Sequence, residues 1–397
     1  MLESDCIKHM SNEDICYFDY AATTPVDARV LEVMKPYFER LFGNASSLHS
    51  HGTQAKEALE QSRSALAGYI GAQPGELYFT SGGTEANNLA IKGVAWANKD
   101  KGNHIILSAI EHDCVINACR WLREQGWMVT VAPVDKDGFV DVEFIERAIS
   151  PQTVLVSVMY ANNELGTIQP IAQIGKLCHE RGVLFHSDAC QSFGKIPLDV
   201  VKDNIDLLTI NAHKMYGPKG VGALYVRKGT AISPLLHGGG QESGLRSTTE
   251  NIPGIVGFAK AAELCHSDMD TEHKRLAILK KNLMTHLQES FDNVYFNGSV
   301  TGSLPGLLNF SFSGQEGETI RLLFLLDQMG ILVSAGSACS SNHGGSASHV
   351  LRAIGLNPFE ARGGIRVSLG RFTKENHLRK LCESLNVTVM QMNSIFT

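Results

Sequence analysis

The sequence predicts an α/β protein: a large domain built on a mostly parallel central sheet, joined to a smaller α+β domain. Three observations carry this. From residue 76 to residue 211, short apolar runs of strand length alternate with stretches of helical periodicity. The polar residues that interrupt the pattern fall at the carboxyl ends of those runs, where ligands sit in parallel sheets. From about Leu264 the alternation gives way to a long charged helical stretch. On this reading residues 17–263 form the large domain, and residues 264–397, with 1–16, form the small one.

In chain order, residues 17–25 read as a short strand and turn, and residues 26–42 carry apolar side chains at helical spacing until Gly43 stops them. A loop over 43–47 follows. A strand over 76–80 enters a helix over 86–96 through Ser81-Gly-Gly-Thr-Glu85. A strand that feeds a helix through glycines leaves backbone N–H groups free, which makes a phosphate cradle. Further strands are predicted over 104–108, 128–131, 154–160, 183–186 and 207–210, with helices after His112 and over 142–149 and 171–181. Such alternation requires helices on both faces of the sheet. The small domain is predicted to hold a helix over 271–290, strands near 307–312 and 331–333, and a last helix over 376–397.

The composition, 43% apolar and 19% charged over 397 residues, is that of a soluble globular chain long enough for two domains. A net charge of -6 without long single-sign blocks argues against a direct nucleic-acid or membrane surface and for a small-molecule or protein partner. No apolar run reaches the roughly 18 residues of a bilayer span, and the start is polar and acidic, so a cytoplasmic location is expected. Nine cysteines without CxxC pairs are expected to be reduced, with buried ones such as Cys178 serving as core residues. No metal site is expected.

Five strand ends converge: residues 81–84, Glu111 with His112, residues 162–164, Asp188 with Gln191, and His213 with Lys214. Lys214 reads either as a solvated lysine opening a loop or as a covalent catalyst, since lost solvation favours the neutral, nucleophilic form of an amine. Asp188 either caps the next helix or pairs with a buried cation. The ring nitrogen of pyridoxal phosphate (PLP) is such a cation, and Lys214 then supplies the imine. His112 is either an ordinary histidine or stacks on that ring and moves protons near neutral pH. Far downstream, Cys339 sits in a loop of serines and glycines with little core to pack into, which suits an exposed, reactive thiol that must move. Arg366 lies in a strand-like run and needs a carboxylate, from the protein or from a substrate.

As a set, FDYAATTP at 18–25, FTSGGTE at 79–85, NNE at 162–164, residues 186–191, His213-Lys214, HGGGQ at 237–241, SAC at 337–339 and residues 365–372 resemble the cysteine desulfurases of the NifS/IscS type. These are class-V aminotransferase-like enzymes of PLP fold type I, and the likeness spans nearly the whole chain. It implies Lys214 as the Schiff-base lysine, Asp188 on the ring nitrogen, Gln191 on the ring hydroxyl, and His112 stacked on the ring with Asn163 close by. It implies that Gly83, Thr84 and His213 hold the phosphate, with Thr249 reaching in from the second subunit of a homodimer. Asn211 stands where many relatives carry serine, and its amide can also donate to phosphate. Asn44 and Arg366 would take the substrate carboxylate.

The stretch from Cys339 to Arg352 resembles the long-loop group, whose cysteine swings out. The implied reaction takes sulfur from L-cysteine, leaves L-alanine, and passes a Cys339 persulfide to a protein sulfur acceptor or scaffold. Iron–sulfur cluster assembly, tRNA thiolation, DNA phosphorothioation or another thio-product stays open as the destination. Aminotransfer, a lyase acting on a selenium analogue, and a non-catalytic partner that keeps the fold are the alternative functions.

Overall fold

The structure is a computed structural model describing residues 15–336 and 347–393. Its strands are β1 (Cys16–Tyr17), β2 (Leu77–Thr80), β3 (His104–Ser108), β4 (Met128–Ala132), β5 (Thr153–Ser157), β6 (Leu184–Asp188), β7 (Leu207–Asn211), β8 (Gly222–Val226), β9 (Val294–Phe296), β10 (Leu307–Phe312), β11 (Ile331–Leu332), β12 (Ser334–Ala335) and β13 (Ile365–Ser368). Strands β2 to β8 form one sheet in the order β2-β8-β7-β6-β5-β3-β4. Within it β3 to β7 pair in parallel. Only β8 runs against its neighbours β2 and β7.

Strand β8 has no counterpart among the predicted strands. Its direction follows from its connection, because residues 212–221 are too few for a parallel crossover, which takes about a dozen or more. Every residue of β3, β5, β7 and β8 is buried, as a sheet covered on both faces requires.

The helix Ile171–Arg181 falls where its periodicity predicts, and Gly182, at φ +66°, supplies the left-handed residue that ends it. The stretch 26–42 is instead two short helices, Ala28–Met34 and Pro36–Glu39. Pro36 lacks the N–H that would continue the first helix and can only open a second. The strand predicted over 154–160 leaves regular pairing after Ser157, and the segment beyond it forms part of the site below.

The charged helix predicted over 271–290 begins at Ile252 and runs unbroken to Ser290, through position 263. Ile255, Phe258 and Ala262 pack into the core around the large sheet. Leu279, Leu283 and Leu287 of the same helix pack into a second core, with the antiparallel sheet β12-β13-β10-β9 and the last helix, Glu375–Asn393. Cys16 and Phe18 join that second core, and β1 pairs with β11. Among the described residues no helix is long and apolar enough to cross a membrane.

Besides the long helix, a polar seam ties the two cores. Arg371 Nη1 lies 2.6 Å from Asp27 Oδ2, and its guanidinium sits 4.5 Å from the ring centre of Tyr216. The hydrogen bond from Arg29, with Arg371 adding to it and burial opposing, holds the Asp27 carboxyl down at about 2. A carboxyl depressed on folding contributes stability in full above its ordinary value and loses it as pH falls through the folded value. Asp27→Asn is therefore expected to lower the thermal midpoint at pH 7, with the deficit shrinking as pH drops from 4 toward 2. Equal deficits at pH 7 and at the acid end would contradict the assignment.

Candidate active site

One cavity of about 800 Å³, its open mouth included, lies at the carboxyl ends of β3, β5, β6 and β7. Of the predicted site residues, Gly83, Thr84, His112, Asn163, Asp188, Asn211, His213, Lys214 and Arg366 line it. Gln191 does not. It is buried behind the wall, where its Nε2 donates to the Ala21 carbonyl at 2.9 Å and its Oε1 accepts from Lys195 Nζ at 3.2 Å. Asn44 and Thr249 are exposed and do not line this cavity; Asn44 Oδ1 accepts from the Ser46 N–H. Cys339 lies outside the described residues.

Asp188 ends β6 and is almost fully buried. Burial alone would raise its pKa, yet it is lowered, by the Cys190 N–H at 2.9 Å and by the nearby charge of Lys214, with His112 adding to this only when protonated. Asn87 Nδ2 gives it a further hydrogen bond at 2.6 Å. Both readings of Asp188 thus hold in part: it bonds the turn that follows it and stands ready, ionised, for a cation. Lys214 Nζ has no hydrogen-bond or ion-pair partner among the described residues.

His112 is the N-cap of the helix Asp113–Glu124, and its Nδ1 accepts from the Cys114 N–H at 3.2 Å. An accepting Nδ1 leaves the proton of the neutral ring on Nε2. Burial and then the charge of Lys214 lower its pKa, against the pull of Asp188, so the ring is neutral at physiological pH. His213 is pushed down further, to about 4, by burial and by Lys214, Lys219 and Lys195. Its Nδ1 lies 3.2 Å from Thr23 Oγ1.

The turn before the helix Gly83–Asn98 brings unpaired backbone N–H groups to the cavity. A side chain at Gly83 would put its Cβ 2.6 Å from Cys190 Sγ and 3.6 Å from Asn211 Nδ2, so only glycine keeps the backbone open here. Asn211 Oδ1 is buried without a hydrogen-bond partner among the described residues. Glu85, beside this cradle, is neutralised by Arg246 at 2.7 and 3.0 Å.

Arg366, on β13, is 2% exposed. Its Nη2 meets Asp19 Oδ1 at 2.7 Å, its Nη1 donates to the Asn163 carbonyl at 2.9 Å, and its Nε is buried without a partner among the described residues. The structural salt bridge that the sequence left open is therefore made, and one donor is left over.

Sequence reasoning missed Asn87 and Cys114, which line the same cavity. Asn87 had a signal, since it lies four residues after Gly83 and so shares its helix face. Glu111, fully buried, carries the loop before His112: it accepts from Ser108 Oγ at 2.6 Å and from the Met159 N–H at 2.7 Å. Burial pushes its carboxyl up to about 8 against these bonds, so it is held neutral at pH 7.

Residues 16–381 match the family model described as aminotransferase class-V. A protein from Dictyoglomus turgidum named cysteine desulfurase IscS is 47% identical over 379 residues, covering 96% of this chain and 95% of its own. Among solved structures, one titled NifS-like protein superposes with a TM-score of 0.88 at 38% identity, covering 95% of this chain and 99% of its own. Another, titled SspA in complex with cysteine, has a TM-score of 0.80 at 40% identity over 89% of this chain and 98% of its own.

Asn87→Leu removes the side-chain donor to a buried carboxylate, a loss of roughly 1.5–3 kcal/mol. Urea unfolding at pH 7 is expected to show a deficit of that size. Asn87→Asp, which sets a second carboxylate beside the first, is expected to cost more; a variant as stable as the parent would sink the argument.

Proposed function

Because the chain belongs to the class-V aminotransferase family and, within it, to the cysteine desulfurases, we propose that it takes sulfur from L-cysteine, releases L-alanine and carries the sulfur as a Cys339 persulfide to a protein acceptor. The observation that carries this reading is the buried, ionised Asp188 on the wall of a cavity that also holds the amine of Lys214, which has no hydrogen-bond or ion-pair partner among the described residues. Neither aminotransfer nor a non-catalytic role has an observation of its own in its favour.

PLP fits the residues present. Asp188 suits its ring nitrogen, Lys214 its aldehyde carbon, and His112 a ring face, with Asn163 near, while the ring-hydroxyl role of Gln191, which lies behind the lining, rests on the resemblance. The phosphate would be held by the free N–H groups of Gly83 and Thr84, by His213 and by the Nδ2 donor of the Asn211 amide. Thr249, exposed here, would complete that set from the second subunit of a cytoplasmic homodimer. When bound, PLP supplies a cationic ring that accepts the electron pair left when a proton leaves the substrate α-carbon.

The chain's own residues do the rest. Arg366 orients the substrate carboxylate, which must share the guanidinium with Asp19 and can use the Nε that has no partner among the described residues, with Asn44, outside the cavity lining, assigned to the same carboxylate by the resemblance. Lys214 Nζ takes the α-proton, and neutral His112 holds the ring and can accept a proton at need. The Cys339 thiolate bonds to the substrate sulfur, the Cβ–S bond breaks with its electron pair going to carbon, and protons returned to carbon give alanine. Water exclusion comes from the buried wall around Asp188.

Incubation with PLP and L-cysteine is expected to yield alanine, plus sulfide once a reducing thiol is added. Lys214→Ala should lose both the visible cofactor colour and activity, by about 10²-fold or more. Cys339→Ala should keep the colour and lose alanine formation to a similar extent. Full-rate alanine from Cys339→Ala would remove the role of that cysteine, and a parent protein that stays colourless with added PLP would remove the whole reading.

A further inference from the structure

Beside the anion cradle stands a negative charge that the chemistry above does not use. In the turn that opens the helix Gly83–Asn98, the Ser81 N–H donates to Glu85 Oε2 at 2.8 Å and the Gly82 N–H to Thr80 Oγ1 at 3.4 Å. Gly83 and Thr84 are left to line the cavity. Glu85 follows Thr84 directly, in the first turn of that helix. Burial opposes its charge, but the bonds from Arg246 and from the Ser81 N–H outweigh burial and hold the carboxyl below its usual range, so it is ionised at neutral pH.

An acidic side chain in the first turn of a helix is drawn by the same positive field and the same N–H groups that hold a phosphate there. Glu85 shapes the turn through Ser81, and uncompensated it would repel a dianion bound at Gly83 and Thr84. Arg246 supplies the compensation in a two-pronged contact, Nε at 2.7 Å from Oε1 and Nη2 at 3.0 Å from Oε2. The two side chains are only 15 and 17% exposed, so water and salt screen these charges in part.

Arg246 is itself held to the cradle. Its segment lies along the free edge of β2, the outermost strand of the large sheet. There Glu242 Oε2 accepts from the Phe79 N–H and from Arg63 Nη1, both at 2.7 Å, and the same Nη1 donates to the Leu77 carbonyl at 2.8 Å. Glu242 and Ser243, at φ +49° and +56°, sit in the left-handed region that side chains avoid, a strain that the buried ion pair offsets. One segment thus grips the strand before the glycine turn at Glu242 and the carboxylate after it at Arg246. We propose that Arg246 is a positioning residue for the cofactor: by pairing with Glu85 it keeps the carboxylate that shapes the cradle from repelling the phosphate. This rests on the assignment of the PLP phosphate to the turn at Gly83 and Thr84.

The test measures dissociation constants for PLP and for pyridoxal, which lacks the phosphate, on the full chain and on Arg246→Met, Glu85→Gln and the double variant. An unpaired charge about one helical turn from the phosphate is worth roughly a factor of 10, so Arg246→Met is expected to bind PLP about 10-fold more weakly and pyridoxal as the parent does. Glu85→Gln keeps the shape and the acceptor for Ser81, and is expected to bind PLP at least as tightly as the parent. Joined to Arg246→Met, it is expected to restore PLP affinity to within about twofold. An ion pair that served the fold alone would leave the double variant as weak as Arg246→Met. The proposal is overturned if Arg246→Met binds PLP as the parent does, if its loss is equal for pyridoxal, or if the double variant shows no recovery. Should Arg246→Met fail to fold, weaker PLP binding by Glu85→Gln alone overturns it. A parent that binds no PLP would instead overturn the functional reading on which this rests.

Discussion

A carboxylate buried at the end of a sheet strand is costly unless the surroundings hold its charge, and the site depends on how Asp188 meets that demand. Its oxygens are met from two directions: the Cys190 amide from its own turn and the Asn87 amide from the helix that opens at Gly83. The positive charge of Lys214 completes the balance. The contributors come from separate parts of the chain: Cys190 from the turn after β6, Asn87 from the helix after β2 and Lys214 from the turn after β7. The parallel sheet therefore does more than support the cavity, because its register brings those connections to one point.

Close backbone approach is the second constraint. Strand β8 lies between β2 and β7, and a Cβ on Gly222 would fall 2.8 Å from Gly82 Cα. Glycines at 82, 83 and 222 let the turn before the helix settle on the sheet edge, so that its N–H groups and Asn211 share one wall. The reversed direction of β8 thus helps to build the anion cradle, although β8 contributes no side chain to the cavity lining.

The smaller core reaches the same cavity through β13. Arg366 is held between Asp19 and the Asn163 carbonyl, and Ala21, next to Asp19 in the chain, is fastened to Ser368 and Gln191. Residues 19–22 are a polar hinge of hydrogen bonds between the two cores. A substrate carboxylate at Arg366 would enter an arrangement already bearing charge from both cores, which couples substrate recognition to how they sit together.

What the sequence by itself determined is local. Strand and helix alternation, the glycine turn at 82–83, the histidine before a helix and the lysine after β7 follow from side-chain periodicity and turn chemistry within a few residues, while the roles of Gly83, Thr84, Asn163, Asn211 and His213 came from the resemblance; these are among the nine predicted residues that line one cavity. The tertiary structure alone decided the partners. Asn87 meets Asp188 across 101 residues and Arg366 meets Asp19 across 347. Gln191 turns to Lys195 and Ala21 rather than lining the cavity, β8 reverses, and the long helix joins both cores. Such pairings leave no periodic trace, because a buried polar group takes whichever donor the packed chain brings within reach.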